Sequence, residues 1–119
     1  MNVREVAEGL TALVREVKFH EASEKYYADD IVSVEAVGGE EGTTHGKAQV
    51  LASGEEWSKN HEVHGAEVAG PFLNGDQFAL FYKMDLTQKA TGTRFSFEEV
   101  GVYTVKDGKV VHEAFFYTM

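Results

Sequence analysis

The apolar residues of this chain change their spacing near residue 62, and that change limits the folds open to it. Before it, Val3, Val6, Leu10, Leu13, Val14 and Val17 recur three and four apart. That spacing predicts one apolar stripe along a helix of about four turns. Asn2 followed by Glu5 has the spacing of a capping box and sets the start of this helix. A shorter helix is predicted over residues 20–28, burying Ala22 and Tyr26 and ended by Asp29 and Asp30. Residues 31–36 are β-branched and predict a strand, 37–44 form a glycine-rich acidic loop, and 47–60 a third helix with Val50, Gly54 and Trp57 on one side. After Glu62 the period is two. Strands are predicted over 63–69, 77–88, 94–105 and 109–117, punctuated at Gly70-Pro71, Asn74-Gly75-Asp76, Ala90-Thr91-Gly92 and Lys106-Asp107-Gly108. The Asp-Gly step before Lys109 is a strong hairpin signal.

Helices first and consecutive hairpins later predict an α+β fold: an antiparallel sheet with the helices on one face. The 119 residues form a single domain, 1–119, and 43% hydrophobic with 12% aromatic content is enough for a packed core. The 20 acidic residues against 11 basic ones leave a net charge of −9, which argues against nucleic acid and anionic membranes as partners. Without cysteine there is no disulfide framework, thiolate nucleophile or sulfur-ligated zinc. The longest apolar run, residues 78–82, is too short to span a bilayer, and Arg4, Glu5 and Glu8 argue against a signal peptide. A soluble cytoplasmic domain is expected.

Strand alternation assigns faces. On the third long strand, Phe95, Phe97, Glu99, Gly101, Tyr103 and Val105 share the more aromatic face, which places Glu99 inside. A carboxyl there must be protonated, paired or hydrogen-bonded, and His64, Tyr103 and Tyr117 are the candidate partners. On the strand before it, Phe78, Leu80, Tyr82, Met84 and Leu86 point inward and Lys83 and Asp85 outward. The last strand leaves two sets in competition, Val111, Glu113, Phe115 and Tyr117 against Val110, His112, Ala114 and Phe116. Apolar residues on both faces predict that the outer face is covered by a second copy, with Lys83 and Asp85 pairing at or beside that homodimer interface.

Other motifs carry less. His61 and His64 are spaced H-x-x-H, one residue short of the zinc-protease helix motif, and on a strand they point to opposite faces, so no metal site is expected. Gly42–Ala48 precedes a helix but is one residue short between its glycines and has Ala48 where a magnesium-binding hydroxyl belongs. No G-x-S-x-G elbow is present. His20, His45 and His112 read as surface or loop residues.

The segments YYADDIVSVEAVGG, THGKAQV and VGVYTVKDGKVVHEAFFY, in that order, resemble the nuclear-transport-factor-2-like superfamily. Within it they are most similar to SnoaL-like polyketide cyclases and ketosteroid isomerase, and the likeness runs from the first helix to the last strand. It implies a cone, a curved antiparallel sheet wrapped on three helices with a pocket at the open end, and a homodimer through the sheet. In the isomerase an Asp base shuttles a proton while a Tyr and a protonated Asp hold the oxyanion. Glu35 stands at the base position; Thr11 and Gly101 stand at the two donor positions, so both donors are missing. A regular strand with Val32 and Val34 in the core would turn Glu35 outward, so both readings of that residue stay open. The resemblance also puts Tyr103, Phe115 and Tyr117 on the concave face as substrate-binding residues, with His64 pointing the same way.

Together these imply a pocket for a small, largely apolar, oxygen-bearing molecule. The expected chemistry is cofactor-independent isomerisation, cyclisation or dehydration begun by proton abstraction next to a carbonyl. Glu35 is the candidate base, with Glu99 and His64 as acid or orienter. The rival is a non-catalytic ligand-binding or interaction module of the same fold.

Overall fold

The capping box forms as its spacing predicts: the Asn2 side chain accepts from the Glu5 amide at 2.9 Å, and the Glu5 carboxylate accepts from the Asn2 amide at 3.1 Å. In the computed structural model, which describes residues 1–118, α1 (Val3–Arg15) buries Val6, Ala7, Leu10, Thr11 and Val14. The helix stops before the apolar stripe does. Val17 lies past its end at φ 63°, and the Val17 and Lys18 amides close the last turn on the Val14 and Leu13 carbonyls. This is a Schellman ending with valine where glycine is usual. α2 (Phe19–Tyr26) returns across α1 at Gly9, where an added Cβ would lie 1.9 Å from the Tyr26 hydroxyl oxygen. Tyr26 is buried and held in the core. Gly9→Ala is therefore expected to destabilise the fold by about 1–3 kcal/mol, read as a lower urea midpoint, despite alanine's helix preference.

β1 (Tyr27–Val34) begins earlier than predicted and carries Asp29 and Asp30 exposed within it, so they do not end a helix. A 3₁₀ turn (Gly39–Gly42) and a short β2 (Thr43–His45) occupy the predicted loop, and α3 (Lys47–Asn60) follows. The remaining strands are β3 (His61–Asn74), β4 (Gln77–Gln88), β5 (Thr93–Lys106) and β6 (Lys109–Phe116). All six form one sheet in the order β2-β1-β6-β5-β4-β3. Its pairs are antiparallel except β1 with β6, which run parallel, so the sheet is mixed where a purely antiparallel one was expected. The whole intervening chain serves as the crossover that a parallel pair needs. β3 does not turn at Gly70-Pro71; its register slips between Ala69 and Phe72 and the strand resumes. Gly70 has φ 117°, and a Cβ there would sit 2.9 Å from the Ala79 carbonyl oxygen. The α+β cone stands: three helices against one face of a curved, unclosed sheet. Among the described residues no helix is long and apolar enough to cross a membrane.

The inner face follows the predicted alternation on β4, where Phe78, Leu80, Tyr82, Met84 and Leu86 are buried. β5 continues it, with Glu99 opposite Tyr82 and Tyr103 opposite Phe78. β6 settles the competition between its two faces by a bulge. Asp107 and Gly108 are both left-handed (φ 53° and 77°), the backbone of a type I′ hairpin, and pair Val105 with Val110. A one-residue slip then sets His112 opposite Thr104 and Glu113 opposite Tyr103. Val110 and Glu113 thus both face inward, while Phe116 is 59% exposed. Outside, Phe81, Val100 and Phe116 lie in a row across β4, β5 and β6. Asp85 pairs with Arg94 of its own chain at 2.7 and 3.0 Å, and this bond holds its carboxyl below the usual range.

Candidate functional site

A cavity of about 470 Å³ opens between the helices and the inner face of the sheet. β1 delivers Glu35 to it. The strand buries Ile31 and Ser33 and leaves Val32 and Val34 half-buried on the other face, so residue 35 falls on the cavity side just past the strand end. The Glu35 amide donates to the Gly42 carbonyl at 2.9 Å, fixing the backbone. Its side chain is exposed at the cavity rim and accepts from the Tyr117 hydroxyl at 3.0 Å. Burial, together with this bond, pushes the Tyr117 hydroxyl above its ordinary pKa.

Glu99 lies deeper, half-buried on the cavity wall. Burial pushes its carboxyl up to about 7, and the nearby charges of Glu35 and Glu113 add to the shift. No described side chain hydrogen-bonds it, so the expected polar partner is absent. His64 is the extra residue where the β3 register slips between Val63 and Gly65. It is exposed, bonds Thr87 Oγ1 through Nε2 at 2.7 Å, and does not reach the cavity. Tyr103 lies beneath the cavity: its hydroxyl bonds that of Tyr82 at 2.5 Å and its ring stacks on Phe78 with centroids 4.8 Å apart. It also closes the space at Gly101, where a Cβ would meet the Tyr103 hydroxyl at 2.9 Å and the Phe115 ring at 3.1 Å. Gly101 therefore adds no room to the pocket. Thr11 is buried in α1 and donates to the Ala7 carbonyl at 2.6 Å. Phe115 and Tyr117 do line the cavity.

Glu113, which sequence reasoning left unassigned, is the third carboxyl of the cavity. It is 3% exposed and accepts from the Tyr27 hydroxyl and, at 2.8 Å, from Ser33 Oγ. Burial pushes it up to about 7 against the opposing pull of these two bonds. Two carboxyls pushed up to about 7 by burial, together with Glu35 at the rim, line one cavity and can accept, hold and return protons. Among the described residues no cluster of three or more His, Cys, Asp or Glu side chains has the arrangement to hold a metal ion. His61 instead stacks on Trp57 with centroids 4.6 Å apart and bonds its carbonyl through Nδ1 at 2.9 Å.

An open sheet wrapped on three helices, with titratable side chains in the hollow, defines a cone-fold pocket protein. The SnoaL-like domain model matches residues 1–117, and the chain belongs to that family. A candidate SnoaL-like polyketide cyclase from Mesorhizobium loti is 49% identical, with a TM-score of 0.93 over 98% of this chain and 100% of that one. A candidate isomerase from Bacillus subtilis shares the fold at 17% identity, with a TM-score of 0.80 over 99% of this chain and 90% of that one. So does a cystatin-fold protein of unknown function from Xanthomonas campestris, at 16% identity and a TM-score of 0.79, covering 100% of this chain and 92% of that one. No curated protein sequence matches the chain.

Proposed function

We propose that this SnoaL-like protein catalyses cofactor-independent proton transfer next to a carbonyl, as in an isomerisation, cyclisation or dehydration. The substrate is a small, largely apolar, oxygen-bearing molecule. The observation that carries the reading is Glu99: a carboxyl pushed up to about 7 by burial, with no hydrogen-bonding side chain among the described residues, facing the same cavity as a Glu35 held by Tyr117. Two carboxyls in unlike surroundings divide the roles of base and acid. The Glu35 carboxylate removes a proton from the carbon beside the carbonyl, and the C–H electron pair becomes the enolate. Glu99 gives its proton to the carbonyl oxygen, and the reverse transfers at another carbon complete an isomerisation. His64 is left out of the machinery and Tyr103 out of substrate contact. The test is deuterium uptake from solvent into small methyl ketones, followed by NMR; a rate equal to buffer defeats the reading. Steroid isomerisation is expected to be weak or absent, since Thr11 and Gly101 offer an oxyanion nothing and losing one such donor typically costs about 10²–10³ in rate. Rapid turnover of a β,γ-unsaturated ketosteroid would count against this placement of the oxygen.

The same missing donors favour the second reading, a non-catalytic binding module, in which ketones bind without exchange. In either case the chain is expected to act in the cytoplasm as a homodimer through the outer face of the sheet. Supporting this are the Phe81–Val100–Phe116 row and Phe72, 60% exposed on the neighbouring edge strand. Sedimentation at micromolar concentration should give a dimer mass, and Phe116→Glu a monomer; a monomeric wild type sinks the expectation.

A further inference from the structure

We propose that the ligand of this cavity carries a cationic nitrogen, a protonated amine or a quaternary ammonium, seated between the cavity's rings and the carboxyls of Glu35 and Glu99. The inference rests on the reading of the cavity as the small-molecule site and adds to it the charge of the molecule. Its first support is the walls. Phe97 and Tyr117 meet at 5.3 Å with planes tilted by 57°, making a ring corner beside Glu35. Trp57, its plane fixed by the stacked His61, and Phe19 supply aromatic surface from the helices. Ring faces carry negative potential and hold a cation better than they hold a neutral methyl group of the same shape.

Charge is the second support. Glu35, Glu99 and Glu113 all line the cavity, and no Lys, Arg or His does. Two lysines near its mouth are engaged elsewhere: Lys47 donates to the Glu24 carbonyl at 2.6 Å, and Lys18 pairs with Glu16 at 2.9 Å. The polar remainder, which includes Ser53 and Ser58, is uncharged. An anionic ligand would meet carboxyls and hydroxyls but no basic side chain. A neutral one would bury the carboxyls further while leaving their mutual repulsion in place. A cation relieves that repulsion, and a net charge of −9 on the whole chain steers it inward.

The probes are two isosteric methyl ketones, 4-(trimethylammonio)butan-2-one and 5,5-dimethylhexan-2-one, which differ only in nitrogen against carbon at the quaternary centre. Both are titrated into the full chain by NMR. The cationic ketone is expected to bind at least about tenfold tighter, the scale of a desolvated cation–π contact aided by carboxylates. Glu99→Gln and Trp57→Leu are each expected to lower its affinity severalfold more than they lower the neutral ketone's, so that the preference for the cation shrinks. An amide spectrum as dispersed as the wild type's shows that each variant is folded. Equal or tighter binding of the neutral ketone by the wild type overturns the inference and leaves the proposed function standing. A tenfold preference untouched by both variants overturns the seat assigned here. Binding of neither ketone at millimolar concentration overturns the inference and the pocket reading together.

Discussion

Glu113→Gln is expected to remove a large part of the pH dependence of this protein's stability. The carboxyl titrates at an ordinary 4.5 when unfolded and at about 7 in the fold. Between those values the folded chain keeps a proton that the unfolded chain has released. Its contribution is therefore complete below about 4.5, declines as pH rises through that window, and is gone above about 7. Across the window the loss is about 3 kcal/mol, or on the order of 10 °C in Tm for a domain of this size. Glutamine copies the protonated form: its carbonyl can accept from Tyr27 and its amide can donate to Ser33, so the two buried hydroxyls keep their partners. Glu99 is shifted in the same direction, and part of its shift comes from Glu113, so the variant loses that part too and the difference between the two proteins widens in the same direction. Thermal melts of both chains at about pH 4 and about pH 8, on either side of the window, make the comparison. The variant should match the wild type at the lower pH and exceed it at the higher one; parallel shifts would mean that Glu113 is not held neutral by burial.

Glu113 also marks where the sequence stops being informative. Hairpin arithmetic from Asp107-Gly108 pairs Lys106 with Lys109 and Val105 with Val110. Continued without a break, it puts His112 opposite Tyr103, inside, and Glu113 outside. One extra residue on β6 reverses both, because a strand's side chains change face at every step. Nothing in residues 109–117 signals that bulge; it is chosen by how β6 meets β1, which pairs Ser33 with Glu113 across a parallel ladder. His64 was placed on the concave face by the resemblance; the slip on β3 between Val63 and Gly65 makes it the extra residue and leaves it exposed. Elements fixed by local chemistry were legible: the capping box, the alternation of β4, the placement of Glu99 on the inner face, the third helix. Elements fixed by what packs against them were not. Tyr103 was legible as inward-facing, but only its neighbours Tyr82 and Phe78 decide that its hydroxyl lies beneath the cavity.

Glu35→Gln is expected to slow deuterium uptake into a neutral ketone by about 10²–10⁴-fold, the usual worth of a positioned general base. The substitution keeps shape and the bond from Tyr117, so ketone affinity should stay nearly unchanged and the loss should fall on kcat, as it does when an interaction belongs to the transition state. Glu99→Gln is expected to behave differently. If the Glu99 carboxyl supplies the proton, wild-type exchange requires its protonated form and falls as pH rises past about 7; the glutamine variant should be slower and should lack that limb. Tyr117→Phe frees Glu35 from the one side-chain bond it makes among the described residues and should lower kcat more than it raises KM, with the limb near 7 retained because Glu99 is untouched. The three profiles separate roles that a simple loss of activity would not. An exchange rate carried by folded Glu35→Gln at the wild-type level would move the base to Glu99 or Glu113, the two remaining carboxyls of the cavity. The Glu99→Gln profile then tells which, since only exchange through Glu99 loses its titration with that substitution.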